Sequence, residues 1–235
     1  MTTFNVTLAA ILPAVVLMWF IYRRDPKKEP VYMLVMGFGY GLVAAGIAIV
    51  LESAVAAVGL SSDEPSGLLS SVLTAFCGAA IPEELAKFVM LWFMLKRNRY
   101  FDEYFDGVVY AVCIGMGFAA IENVGYLFMN IDQWQEVAVM RGLFSVPGHF
   151  AFAVLMGYFF SLVHIGGRHT VRDRWLVLAA PVLAHGLFDT LLFAGSVGGV
   201  FASVLTVLFL LLCAQLVKVC RRHIRILLAF DRMPR

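Results

Sequence analysis

The chain has 235 residues, of which 61% are hydrophobic and 14% charged, with a formal net charge of +2. A water-soluble domain carries roughly 25% charged residues to cover its surface, so this composition excludes a soluble fold and makes lipid the solvent for most of the chain. Four cysteines (Cys77, Cys113, Cys213, Cys220) lie scattered in apolar stretches, without the spacing of a metal site or a disulfide framework.

A helix needs about 20 apolar residues to cross roughly 30 Å of hydrocarbon. Seven stretches meet that need: 4–22, 31–58, 68–95, 107–128, 143–165, 175–195 and 199–219. The expected fold is therefore all-α, a polytopic bundle of about seven spans forming one domain over 1–235, with its motif-bearing core at about 68–195. The first stretch lacks a basic leader and a small-residue cleavage site, so it reads as a retained span. Arg23, Arg24, Lys27 and Lys28 follow span one, Lys96, Arg97 and Arg99 follow span three, and Arg168, Arg172 and Arg174 follow span five. Lys218, Arg221, Arg222 and Arg225 follow span seven, with Arg232 and Arg235 beyond. The opposite loops hold Arg141 alone, beside the acidic pair Asp63-Glu64. This bias predicts an outer N-terminus and a cytoplasmic C-terminus. The loops are too short for a soluble domain, and nothing points to nucleic acid.

Ionisable side chains near a bilayer centre cost at least a few kcal/mol each, and by default mark a functional site. Span two adds a lone Glu52, about seven residues from its outer end, which reads as structural. Span three contains Pro82-Glu83-Glu84-Leu85-Ala86-Lys87. Glu83 and Glu84 are four and three residues before Lys87, so the lysine can lie between both carboxylates. Two acids against one base leave a carboxylate over. Pro82 cannot donate to the helix ladder and is expected to free a carbonyl beside the acids. In span four, Gly107, Ala111, Gly115 and Ala119 recur every four residues, a small-residue row that admits a close helix neighbour. Glu122 continues that face, followed by Asn123, so the acid is expected to meet a packed helix rather than lipid. Span five opens with Pro147-Gly148-His149, and span six carries His185 and Asp189 four apart on one face. His164, His169 and His223 sit beside basic residues at the cytoplasmic edge and read as solvated.

Counting about 1.5 Å per residue places Glu83, Glu122, His149, His185 and Asp189 in one layer between mid-membrane and the outer leaflet. Carboxylates with two histidines and a lysine suit the activation of water by a glutamate base. Imidazoles with a carboxylate also match zinc ligation, in which His149, His185 and Glu122 could complete the shell. Both versions point to hydrolysis of a carbonyl compound, most simply a peptide bond. H-E-x-x-H and G-x-S-x-G are absent, as is a paired intramembrane aspartate motif.

The order E-E-x-x-K (Glu83, Glu84, Lys87), F-A-x-x-E-N (Phe118, Ala119, Glu122, Asn123), then His149, then H-x-x-x-D (His185, Asp189) resembles the PrsW family of intramembrane proteases over about residues 80–190. That family lies in a superfamily with the CAAX prenyl endopeptidases and bacteriocin-immunity-type membrane proteins. The CAAX enzymes have a histidine where this chain has Glu122, which favours PrsW. The resemblance implies cleavage of a single-span membrane protein, such as an anti-sigma factor, near the extracytoplasmic side of the bacterial cytoplasmic membrane. It makes Glu83 the water-activating base, with Glu84 and Lys87 as its electrostatic partners and His149 as a base partner or metal ligand. His185 and Asp189 would hold a metal or the oxyanion, and Glu122 would be a further ligand or proton-sharing acid, with Asn123 in support. Zn2+ and a metal-free mechanism both stay open. Other readings of the same residues are a proton-coupled transporter, disfavoured by the lack of an inverted repeat, and a non-proteolytic scaffold or immunity-type protein.

Overall fold

A computed structural model describes residues 2–62, 65, 67–167, 170–195 and 199–233. All of the regular structure among the described residues is helical, and seven helices are long and apolar enough to cross a membrane. They are α1 (Thr2–Arg24), α2 (Val31–Ala57), α3 (Leu68–Leu95), α4 (Asp106–Met129), α5 (Ile131–His164), α6 (Val171–Gly195) and α7 (Gly199–Asp231). The acidic pair Asp63-Glu64, along with Arg168, His169 and Arg235, lies outside the described residues.

Two helices extend beyond their expected limits. The stretch 129–142, expected to be an outer connection, is mostly helical: a single 3-10 turn at Ile131–Gln133 opens α5, which runs on to His164. Arg141 is therefore a helix residue facing the bundle, not a loop charge. The tail after 219 is also helical, and α7 ends at Asp231, whose carboxylate accepts from the backbone N–H groups of Tyr104 and Phe105 at 2.7 and 2.9 Å. Those donors precede the first turn of α4, where backbone N–H groups have no helical acceptor, so the carboxylate caps them. The remaining spans match the expected limits to within four residues.

Helices α4 and α5 form the centre, with 83% of their apolar windows buried against 22–33% for the other five. The small-residue row makes that burial possible. A Cβ on Gly107 would lie 3.0 Å from the Gly157 carbonyl oxygen and collide with Ser161 Oγ; one on Gly157 would collide with the Gly107 carbonyl. Any larger residue at either position forces the axes apart. Around this pair, α2 and α1 pack on α4, α6 and α7 on α5, and α3 fills the gap between α2 and α6.

Candidate active site

The two helices that carry most of the site share a local device. In α3 a π-helical segment, Thr74–Ala80, stands immediately before Pro82; in α5 a second, Arg141–Ser145, stands before Pro147. Proline lacks an N–H and its ring crowds the carbonyl four residues back. In both helices that carbonyl, of Gly78 or Leu143, lies within the π segment, where wider turns absorb the mismatch. Glu83 and Glu84 follow the first proline at once, and His149 follows the second by two residues. At Pro82 the helix thus changes pitch, which resets the direction in which the next side chains project. A close approach at Gly186, where a Cβ would collide with the ring of Phe76 in the first π segment, then brings α6 onto α3.

Lys87 lies at the centre. Its Nζ is 2.9 Å from Glu83 Oε2, 2.9 Å from Glu84 Oε1 and 3.1 Å from His149 Nδ1, and it sits 3.9 Å from the centre of the Phe118 ring. An ammonium has three N–H donors and no acceptor, and here each donor has one partner. His149 Nδ1 must then accept, which leaves its proton on Nε2 to be donated to Glu122 Oε2, 2.8 Å away. His185 presents Nδ1 to Glu84 Oε1 at 3.0 Å and Nε2 to Asp189 Oδ2 at 3.1 Å. With a carboxylate oxygen facing each nitrogen, a doubly protonated imidazolium provides a donor to both. Its ring stacks on Phe152 at 4.6 Å and 17°.

All seven residues singled out in the sequence therefore join one continuous network, drawn from α3, α4, α5 and α6. Glu83, Glu84, Lys87, His149 and His185 are buried, whereas the side chains of Glu122 and Asp189 keep 21% and 15% exposure and form the rim. Asn123 is buried one position on, donating to the Ala10 carbonyl of α1 at 3.2 Å and accepting from Arg141 Nε at 2.6 Å.

One participant was missed in the sequence. Arg141 forms an ion pair with Glu122 at 3.0 Å and ties Glu122 to Asn123, although its place in the chain read as a loop. Glu52, read as structural, is half-buried on α2. No sequence signal identified Arg141, because it reaches the site from a helix whose rotation only packing decides. His223 also differs from expectation: it is half-buried and stacked on Tyr158 at 3.9 Å and 9°, not solvated. His164 is exposed, as expected.

At this level the residues whose ligand atoms all approach within 4.8 Å of one another are Glu83, Glu84 and His149, not His149, His185 and Glu122. Two carboxylates and an imidazole are acceptable zinc donors, and one atom, Glu84 Oε2, is buried without a partner. Yet the ammonium of Lys87 contacts all three residues at 2.9–3.1 Å and is itself the cation at their centre. A metal ion does not fit this arrangement unless Lys87 leaves it.

The chain as a whole is similar to proteins of one family. The family described as PrsW family intramembrane metalloprotease matches residues 29–215. Among curated relatives, Protease PrsW of Geobacillus kaustophilus is 30% identical over 192 residues, 81% of each chain. Protease PrsW of Clostridioides difficile is 32% identical over 189 residues, covering 79% of this chain and 78% of its own. That of Bacillus subtilis is 30% identical over 194 residues, covering 81% and 84%. No solved structure matches the chain.

Proposed function

The chain belongs to the PrsW family of intramembrane proteases, and on that footing we propose that it cleaves a single-span membrane protein, such as an anti-sigma factor, by a water molecule activated at Glu83. Membership makes it a protease of the bacterial cytoplasmic membrane; the substrate and the chemical step are what we assign here. The observation that carries the assignment is the buried network centred on Lys87, in which four carboxylates from three helices face one ammonium, one guanidinium and one imidazole that bridges two of them.

Glu84 is fully enclosed and held by Lys87 and His185, which makes it a positioning group. Glu83 uses only Oε2 for Lys87 and keeps slight exposure where Glu84 has none, so of the two it is the carboxylate that water can reach. Glu83 removes a proton from the water as its oxygen bonds to the substrate carbonyl carbon. The charge that develops on the carbonyl oxygen meets the positive field of Lys87 and His185, in a site from which bulk water is largely excluded. As the C–N bond breaks, the protonated Glu83 returns its proton to the departing amine. Cleavage near the extracytoplasmic side follows from the outward depth of the polar layer together with the orientation expected from the basic loops.

The test uses purified protein in detergent with a model single-span substrate. Glu83→Gln, Glu84→Gln and His185→Ala are each expected to lower the cleavage rate by about 10²-fold or more. Undiminished cleavage in all three would refute the site. Because Lys87 occupies the centre of the trio, cleavage is expected to survive exhaustive chelation with no zinc found by elemental analysis. Loss of activity on chelation and its return with zinc would refute the metal-free step.

A further inference from the structure

On the far side of α5 from the catalytic network, α1, α5 and α7 leave a groove of about 770 Å³. Its walls are apolar, formed among others by Leu17, Phe20, Phe144, Phe150 and Leu216. One end is different, because Arg24, Arg221 and Arg225 line it. Arg24 closes the last turn of α1, and Arg221 and Arg225 are one turn apart on α7, so all three stand at the end of the bundle that carries the basic loops. Among the described residues none of the three forms an ion pair. The Arg24 guanidinium lies over the Phe20 ring at 3.6 Å, and Arg225 donates only Nε, to the Arg221 carbonyl at 3.2 Å.

Three guanidinium groups without an ion-pair partner among the described residues, at the mouth of an apolar cleft between spanning helices, call for a ligand that is anionic at one end and apolar along its length. A guanidinium presents paired donors that match a phosphate, and basic pockets between spans at the membrane edge suit lipid headgroups. The volume lies within the range of about 300–1,000 Å³ typical of ligand pockets. We propose that this groove is a binding site for an anionic phospholipid, with its phosphate at Arg24, Arg221 and Arg225 and an acyl chain along Phe20, Phe144 and Leu216. The inner wall reaches Gly148 and Phe188, the residues before His149 and Asp189. Phe188 meets Phe152 edge-on at 5.8 Å, and Phe152 is the ring stacked on His185. A chain in the groove thus fills the space behind the catalytic histidines.

Native mass spectrometry of delipidated protein tests this, comparing phosphatidylglycerol with phosphatidylcholine of identical chains. Wild type is expected to hold phosphatidylglycerol with a preference of about tenfold or more. Arg221→Gln with Arg225→Gln should reduce that preference to near parity, whereas Arg97→Gln with Arg172→Gln, an equal charge change away from the groove, should preserve it. Cys213→Trp, which narrows the groove without touching charge, should weaken the adduct. The proposal is overturned if wild type shows no preference, if the control pair loses it equally, or if the adduct persists unchanged in Cys213→Trp. A lipid-free dimer that buries the groove would overturn it too.

Discussion

Replacing Lys87 by methionine keeps an unbranched apolar stem and removes the one charge on which the site converges. The ammonium donates to two carboxylates at 2.9 Å and to His149 at 3.1 Å, all with nearly complete burial. A hydrogen bond to a charged partner is worth about 1.5–3 kcal/mol. Removing one member of a buried ion pair costs about 3–5 kcal/mol, because the remaining charge has no water to turn to. Lys87→Met should therefore destabilise the protein by about 3–5 kcal/mol, measured by unfolding in mixed micelles of increasing SDS content with tryptophan fluorescence as the signal. The cycle is completed with Glu84→Gln and the double variant. If the loss arises from uncompensated charge, the double variant should be more stable than Lys87→Met alone, with a coupling energy of about 2 kcal/mol or more. Losses that simply add, or a Lys87→Met cost below about 1 kcal/mol, would show that the ammonium is not the centre of the network.

Gly157→Val would thrust a side chain against the backbone of Gly107 and Val108; it should cost about 1–3 kcal/mol or more, and lower cleavage as well, since α5 also carries His149. A thermal midpoint equal to wild type would contradict the packing described. Arg141→Gln removes the charge that pairs with Glu122, and should lower kcat by about tenfold or more with little change in KM, because the residue positions Glu122 rather than holding the bulk of the substrate. A pure KM effect would argue for a binding role. At the opposite end of the bundle, burial raises the pKa of Glu29, whose carboxylate accepts from the Tyr110 hydroxyl, and burial likewise raises those of Asp25 and Glu103. An acid with a raised folded pKa stabilises the fold below its unfolded value near 4.3 and loses that contribution as pH climbs through the folded value. The thermal midpoint should thus rise as pH falls towards that unfolded value, and Glu29→Gln should flatten that rise; identical slopes would refute the assignment.

The spans and the polar residues within them were legible because both rest on local chemistry. Twenty apolar residues in a row have one stable solvent, and a carboxylate among them has one plausible surrounding, whatever the rest of the chain does. Helical spacing likewise placed Glu83, Glu84 and Lys87 on one face, and His185 with Asp189. Depth along each helix followed from counting residues, and the motif order carried the family. Spacing could not say how each helix is rotated against its neighbours. That rotation decides that His149 bridges Lys87 and Glu122, that Arg141 turns inward, and that the cation among Glu83, Glu84 and His149 is a lysine of the same chain. It is set by contacts such as Gly107 on Gly157 and Gly186 on Phe76, and by two π segments whose wider turns redirect the side chains after Pro82 and Pro147. A sequence shows which residues share a face; only the packed bundle decides what that face meets, because the partners come from helices distant in the chain.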